Sequence, residues 1–95
     1  MPEVVIVRRI FLLPGRESDA LAWLHATESA RRAAGQVRQF VVRGQIDPRE
    51  HQWIQVWASA GAYEGWRRTP LRAELADQRR RFMTEEPGRA FEVLA

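Results

Sequence analysis

The chain has 95 residues, a net charge of +3, no cysteine and two histidines. That is the length of one domain, 1–95, and the missing cysteines exclude disulfides, thiolate metal ligands and thiol nucleophiles together. His25 and His51 lie too far apart to form a paired-histidine metal motif, and the fifteen basic residues, all arginine, are interleaved with twelve acids and accompany no RRM, KH or helix-turn-helix signature, so neither a metal nor nucleic acid is the expected partner.

Residues 4–13 read as a strand, rich in β-branched and aromatic side chains and stopped by the turn pair Pro14-Gly15. Arg8 and Arg9 cut its apolar run far short of the roughly 20 residues of a membrane span. Neither a span nor a signal peptide is expected, and the expected location is the cytoplasm. Val4, Ile6, Arg8, Ile10 and Leu12 share one face; Val5, Val7, Arg9, Phe11 and Leu13 share the other. Both faces are mostly apolar, the pattern of a strand covered on both sides. An arginine in such a strand is costly unless it is paired or meets an anion.

Ser18 is the expected cap of a helix running to residue 34, with Asp19 in its first turn. Ala20, Trp23, Leu24, Thr27, Ala30 and Ala34 form its inner stripe, His25 lies off it, and Gly35 ends it. Residues 37–46 and 51–58 then form a hairpin around Asp47-Pro48. On the later strand His51, Trp53, Gln55 and Trp57 alternate with Gln52, Ile54, Val56 and Ala58, and neither set is plainly polar.

Ser59 is placed to cap a short helix carrying Tyr63 and Trp66. Thr69-Pro70 restarts a second, with Thr at the cap and Pro at the first helical position. Leu71, Leu75 and Phe82 mark its apolar stripe, Arg72, Arg79 and Arg80 are read as mostly outside it, and Pro87-Gly88 ends it. Residues 91–94 make a last short strand.

The order is β-α-β-β-α-β: an α+β, ferredoxin-like antiparallel sheet with helices on one face. Two helices cover one side only, while the first and third strands are apolar on both. The expected solution is an isologous homodimer stacked sheet on sheet. A register error of one residue in a strand would undo this reading, because it moves every side chain to the other face.

This layout resembles the antibiotic biosynthesis monooxygenase family of the dimeric α+β barrel superfamily. Trp57-Ala58-Ser59, Ala62-Tyr63, Trp66 and Thr69-Pro70 are similar to the family's stretch after the third strand; Leu12-Leu13-Pro14-Gly15 is similar to its turn after the first. Gly35 and Phe40 fall where the family often has a glycine and an aromatic residue. The resemblance implies a homodimeric barrel with a cavity between sheet and helices in each protomer. It further implies a cofactor-independent monooxygenase acting on an aromatic or quinone-like small molecule. Such an enzyme supplies a dry pocket, a base and a donor for developing charge.

Under that resemblance Trp66 is the matched site position, Tyr63 one turn earlier supplies a hydroxyl, and His51 is the candidate base. Arg9, Trp57 and Leu75 are candidate substrate contacts, although Trp57, like Trp53, also reads as packing or interface. Haem degradation, another activity in the family, is disfavoured. The chain has no asparagine for the first strand, and Leu75 and Ala76 stand where a histidine is expected. A non-catalytic binding or dimerisation module and a polyketide-type cyclase or lyase are the alternatives.

Overall fold

The computed structural model describes residues 1–95. In chain order the elements are β1 (Val4–Leu12), α1 (Glu17–Ala26), α2 (Glu28–Ala33), β2 (Gln36–Arg43), β3 (His51–Trp57), α3 (Ala60–Arg67), α4 (Pro70–Arg79), β4 (Met83–Glu85) and β5 (Arg89–Glu92). They build one antiparallel sheet in the order β2-β3-β1-β4, with β5 also paired to β1. β4 pairs with residues 10–12 of β1 and β5 with residues 4–7. The two are halves of one edge strand interrupted at Pro87-Gly88, where proline offers no ladder donor. Counted so, the chain is the α+β, ferredoxin-like βαββαβ arrangement expected from its sequence.

One face of the sheet carries the helices. Val4, Ile6, Arg8 and Ile10 of β1 are buried on it, as are His51, Trp53, Gln55 and Trp57 of β3. Two apolar clusters lie beneath the helices. Val4, Ile6, Trp57, Trp66 and Leu75 form one; Ile10, Ala20, Leu24, Trp53 and Met83 form the other. On the opposite face the register lines up Phe40 with Ile54, Ile54 with Val7, and Val56 with Val5, which also meets Phe91. Phe11, Phe40, Val42 and Phe91 are exposed there. Three arginines share that face, each stacked on a phenylalanine: Arg9 on Phe11, Arg38 on Phe40 and Arg89 on Phe91.

Several boundaries differ from the sequence reading. The first helix begins at Glu17 after a turn in which the Arg16 amide donates to the Leu13 carbonyl, so Ser18 is inside it and does not cap it. The helix is not continuous to residue 34. It breaks at Thr27, whose hydroxyl and amide both donate to the Trp23 carbonyl, at 2.8 and 3.0 Å. That local bond competes with helix propagation. α4 stops at Arg79, well short of Pro87, and the chain after it turns back as strand at Met83. The last paired segment is Arg89–Glu92.

The caps at Ser59 and Thr69 are as expected. Ser59 Oγ accepts from the Ala62 amide and Thr69 Oγ1 from the Arg72 amide, both at 3.1 Å. Gly35 has φ +116°, and a Cβ there would lie 2.8 Å from the Ala62 Cβ. Glycine at this position lets the entry to β2 lie against α3.

Candidate active site

Arg8 is the centre of the polar arrangement on the helix face. Its even position in β1 points it inward with Val4 and Ile6, and only 6% of it is exposed. Arg8 Nη1 donates to Glu85 Oε1 at 3.0 Å, and Nη2 donates to the Tyr63 hydroxyl oxygen at 3.0 Å. Arg79, at the end of α4, donates to the same Glu85 oxygen at 2.7 Å. One carboxylate therefore holds two guanidiniums. Arg8 Nε and Glu85 Oε2 are buried without a partner.

Arg31 approaches from α2 and is 2% exposed. Its Nη2 donates to the Leu24 carbonyl at 2.8 Å and its Nε to Gln39 Oε1 at 3.2 Å. No carboxylate lies within ion-pair distance of it. Burial, and then the nearby Arg79 charge, lower its pKa to about 10, with Glu28 partly opposing them. Burial also lowers the Arg79 pKa; Glu85 opposes this, and Arg8, Arg72 and Arg80 add to it. The ring of Trp53 lies within 5.5 Å of the guanidinium carbons of Arg8, Arg31 and Arg79. Its π-face offsets part of the cost of gathering cations here.

Two spaces meet at this cluster. An outer cleft of about 300 Å³ opens between β1, the edge strand and α3. Its apolar wall is Val4, Ile6, Ala60, Pro87 and Ala90; Arg8, Tyr63, Glu64, Arg67, Arg72 and Glu85 supply the polar side. Gly88 completes the rim, where a Cβ would come within 3.0 Å of Arg8 Nη2. Inward lies a constriction of about 10 Å³, lined by Arg31, Trp53, Gln55, Trp66, Leu75 and Arg79. It shares Arg8, Tyr63 and Arg72 with the cleft. Because Arg8 donates to the Tyr63 oxygen, the phenol's own hydrogen is available to a ligand in the cleft.

The candidates read from the sequence separate into groups. Tyr63 lines both spaces, while Trp66 and Leu75 line the inner one. Trp57 is fully buried behind them, its ring centroid 5.4 Å from that of Tyr63 and 6.2 Å from that of Trp66; it supports the site and lines neither space. Arg9 lies on the opposite face of the sheet, so the arginine in the cleft is Arg8. His51 is buried at the other end of β3, about 20 Å from Trp57 at the usual rise per residue. Its Nδ1 meets the Arg49 carbonyl at 3.1 Å, and it does not join Tyr63 and Trp66.

Sequence reading passed over Arg31, placed Arg72 and Arg79 mostly outside the apolar stripe of their helix, and took Trp53 as packing or interface. Two signals were legible. Arg8 has the parity of Val4 and Ile6, and Arg31 falls seven residues, or two helical turns, after Leu24.

No protein-family model and no curated protein matches the sequence. Solved structures match over almost the whole chain. SnoaB from Streptomyces nogalater, described as a cofactor-independent oxygenase, is 21% identical. It covers 100% of this chain and 96% of its own, with a TM-score of 0.81. A candidate antibiotic biosynthesis monooxygenase from Bordetella bronchiseptica is 16% identical, covering 100% of this chain and 98% of its own, with a TM-score of 0.79. HapK from Hahella chejuensis is 21% identical, covers 96% of this chain and 92% of its own, and has a TM-score of 0.73. The chain therefore has the fold of the antibiotic biosynthesis monooxygenases. No helix is long and apolar enough to cross a membrane.

Proposed function

We propose that this protein is a cofactor-independent monooxygenase of the antibiotic biosynthesis monooxygenase family, acting on an electron-rich aromatic or quinone-like molecule in the cleft at Tyr63. The observation that carries the reading is the Arg8–Tyr63 hydrogen bond at the meeting of an open cleft and a buried, tryptophan-lined interior. It sets a guanidinium and a free phenolic hydrogen where a ligand oxygen would gain negative charge.

The substrate supplies the electrons. Loss of a proton from an activated ring methylene gives an anion stabilised by Arg8 and Tyr63. That anion passes one electron to dioxygen; the radical and superoxide join as a C–O bond to give a peroxide, which is protonated and loses water. The balance is one methylene and one dioxygen to one carbonyl and one water. Glu64, on the cleft wall at its mouth and paired there with Arg67, is the carboxylate we assign as proton acceptor. Two copies stack through their far sheet faces, where the apolar row of Phe40, Ile54, Val7 and Val5 would be covered.

Oxygen uptake with an anthrone probe tests the activity. The wild type accelerates one-to-one consumption of anthrone and oxygen, and Tyr63→Phe lowers kcat by about 10- to 100-fold while the fold is kept. Uptake no faster than in buffer, or a Tyr63→Phe rate equal to wild type, overturns the reading.

A further inference from the structure

The charge around the cleft is out of balance. Arg8, Arg31, Arg72 and Arg79 face the two connected spaces together with one carboxylate near them, Glu85, already shared by Arg8 and Arg79. Glu64, at the mouth, is paired with Arg67. The lining of the inner group keeps a surplus of three positive charges, which Glu28, paired with Arg32, only partly offsets at Arg31. Arg72 forms no side-chain hydrogen bond and no ion pair, yet it lines both spaces. Arg8 keeps a buried Nε donor with no acceptor. Concentrating like charge in this way is unfavourable; burial chiefly, and the neighbouring arginines after it, lower the pKa values of Arg31 and Arg79.

Such a group is stabilised by an anion that enters the cleft. The opposite wall is apolar, with Val4, Ile6, Ala60, Pro87 and Ala90. The complement of the whole cleft is thus amphipathic: a flat apolar body with negative charge at one end. A volume of about 300 Å³ is at the low end for a ligand pocket and limits that body to a few rings.

We infer that the cleft selects an aromatic carboxylate, its carboxylate seated between Arg72 and Arg8 beside the Tyr63 hydroxyl and its ring laid on the Val4, Ile6 and Ala60 wall. A carboxylate matches the planar fork of a guanidinium, and Arg72 has its whole fork free. The inference rests on the cleft being the ligand site, as proposed above, and does not depend on oxygen chemistry.

The test compares two naphthalene probes of nearly equal size, 2-naphthoate and the neutral 2-naphthalenemethanol. Binding is read by quenching of tryptophan fluorescence, since Trp53 and Trp66 border the inner space. The wild type binds the carboxylate at least about 10-fold more tightly than the alcohol. Arg72→Gln brings the ratio close to one, and Arg72→Lys, which retains the charge, keeps part of the preference. Arg72→Gln should fold normally, because the side chain it replaces holds no partner; circular dichroism confirms that. A wild-type ratio near one, or an undiminished ratio in Arg72→Gln, overturns the inference. Carboxylate selectivity without oxygen uptake leaves it standing and removes the oxygenase reading. Uptake without carboxylate selectivity does the reverse.

Discussion

Glu85→Gln isolates what one carboxylate does among crowded cations. Glu85 Oε1 accepts from Arg8 at 3.0 Å and Arg79 at 2.7 Å, and the three side chains are 21%, 6% and 12% exposed in that order. Removing one partner of a buried ion pair costs about 3–5 kcal/mol, because the other charge is left without compensation. Here two guanidiniums are left at once. Against this, Glu85 retains some solvent, the amide oxygen of glutamine still accepts a bond, and Trp53 stacks on both cations. The expected loss is about 2–4 kcal/mol. For a domain of this size each kcal/mol moves Tm by about 4–8 °C, so the melting point should fall by roughly 8–32 °C. Thermal and urea unfolding at one fixed protein concentration measure it, since self-association would shift both midpoints. Adding Arg79→Met to the variant should recover part of the loss by removing one stranded charge. A loss below about 1 kcal/mol, or a double variant no more stable than Glu85→Gln, would refute the view that these arginines depend on a single counter-ion.

Two further outcomes follow from the packing. Gly35→Ala forces an alanine to φ +116° and drives its Cβ to 2.8 Å from that of Ala62; urea unfolding should show a loss of about 1–3 kcal/mol, and no measurable loss would mean that α3 can move aside. Ile54→Glu puts a charge in the middle of the far sheet face, flanked in register by Phe40 and Val7. Sedimentation velocity should show the wild type as a dimer at micromolar concentration and this variant as a monomer; a monomeric wild type rules out the stacked pair.

The local rules of the chain were legible before any coordinates. Ser59 and Thr69 cap helices because a short hydroxyl reaches the amide three residues on, which spacing alone reveals. The alternation of His51, Trp53, Gln55 and Trp57 with Gln52, Ile54 and Val56 sorts the side chains into two faces, since strand period is a property of the backbone, while the structure decided that the first set is the buried one. The βαββαβ order and the β2–β3 hairpin follow from the same short-range signals, whereas the pairing of β1 with β3 came from the tertiary structure. The Thr27 break was harder to read, because a hydroxyl that bonds back to the preceding turn and one that points away look alike in sequence.

The site itself was decided by assembly. Arg8, Arg31, Arg72 and Arg79 come from a strand and two helices; Arg8 reads as a cation in need of a partner, but nothing local says that the helical arginines meet it. Only the closing of α2 and α4 over β1 and β3 gathers them at the inner space beside Trp53 and leaves Glu85 as the shared partner of Arg8 and Arg79. His51 and Trp57 show the converse: they share one strand and one face, yet β3 holds them at opposite ends. A sequence fixes which face a side chain takes when the period is set by its own backbone. It does not fix which charges meet, because that depends on distances between elements that no local rule spans.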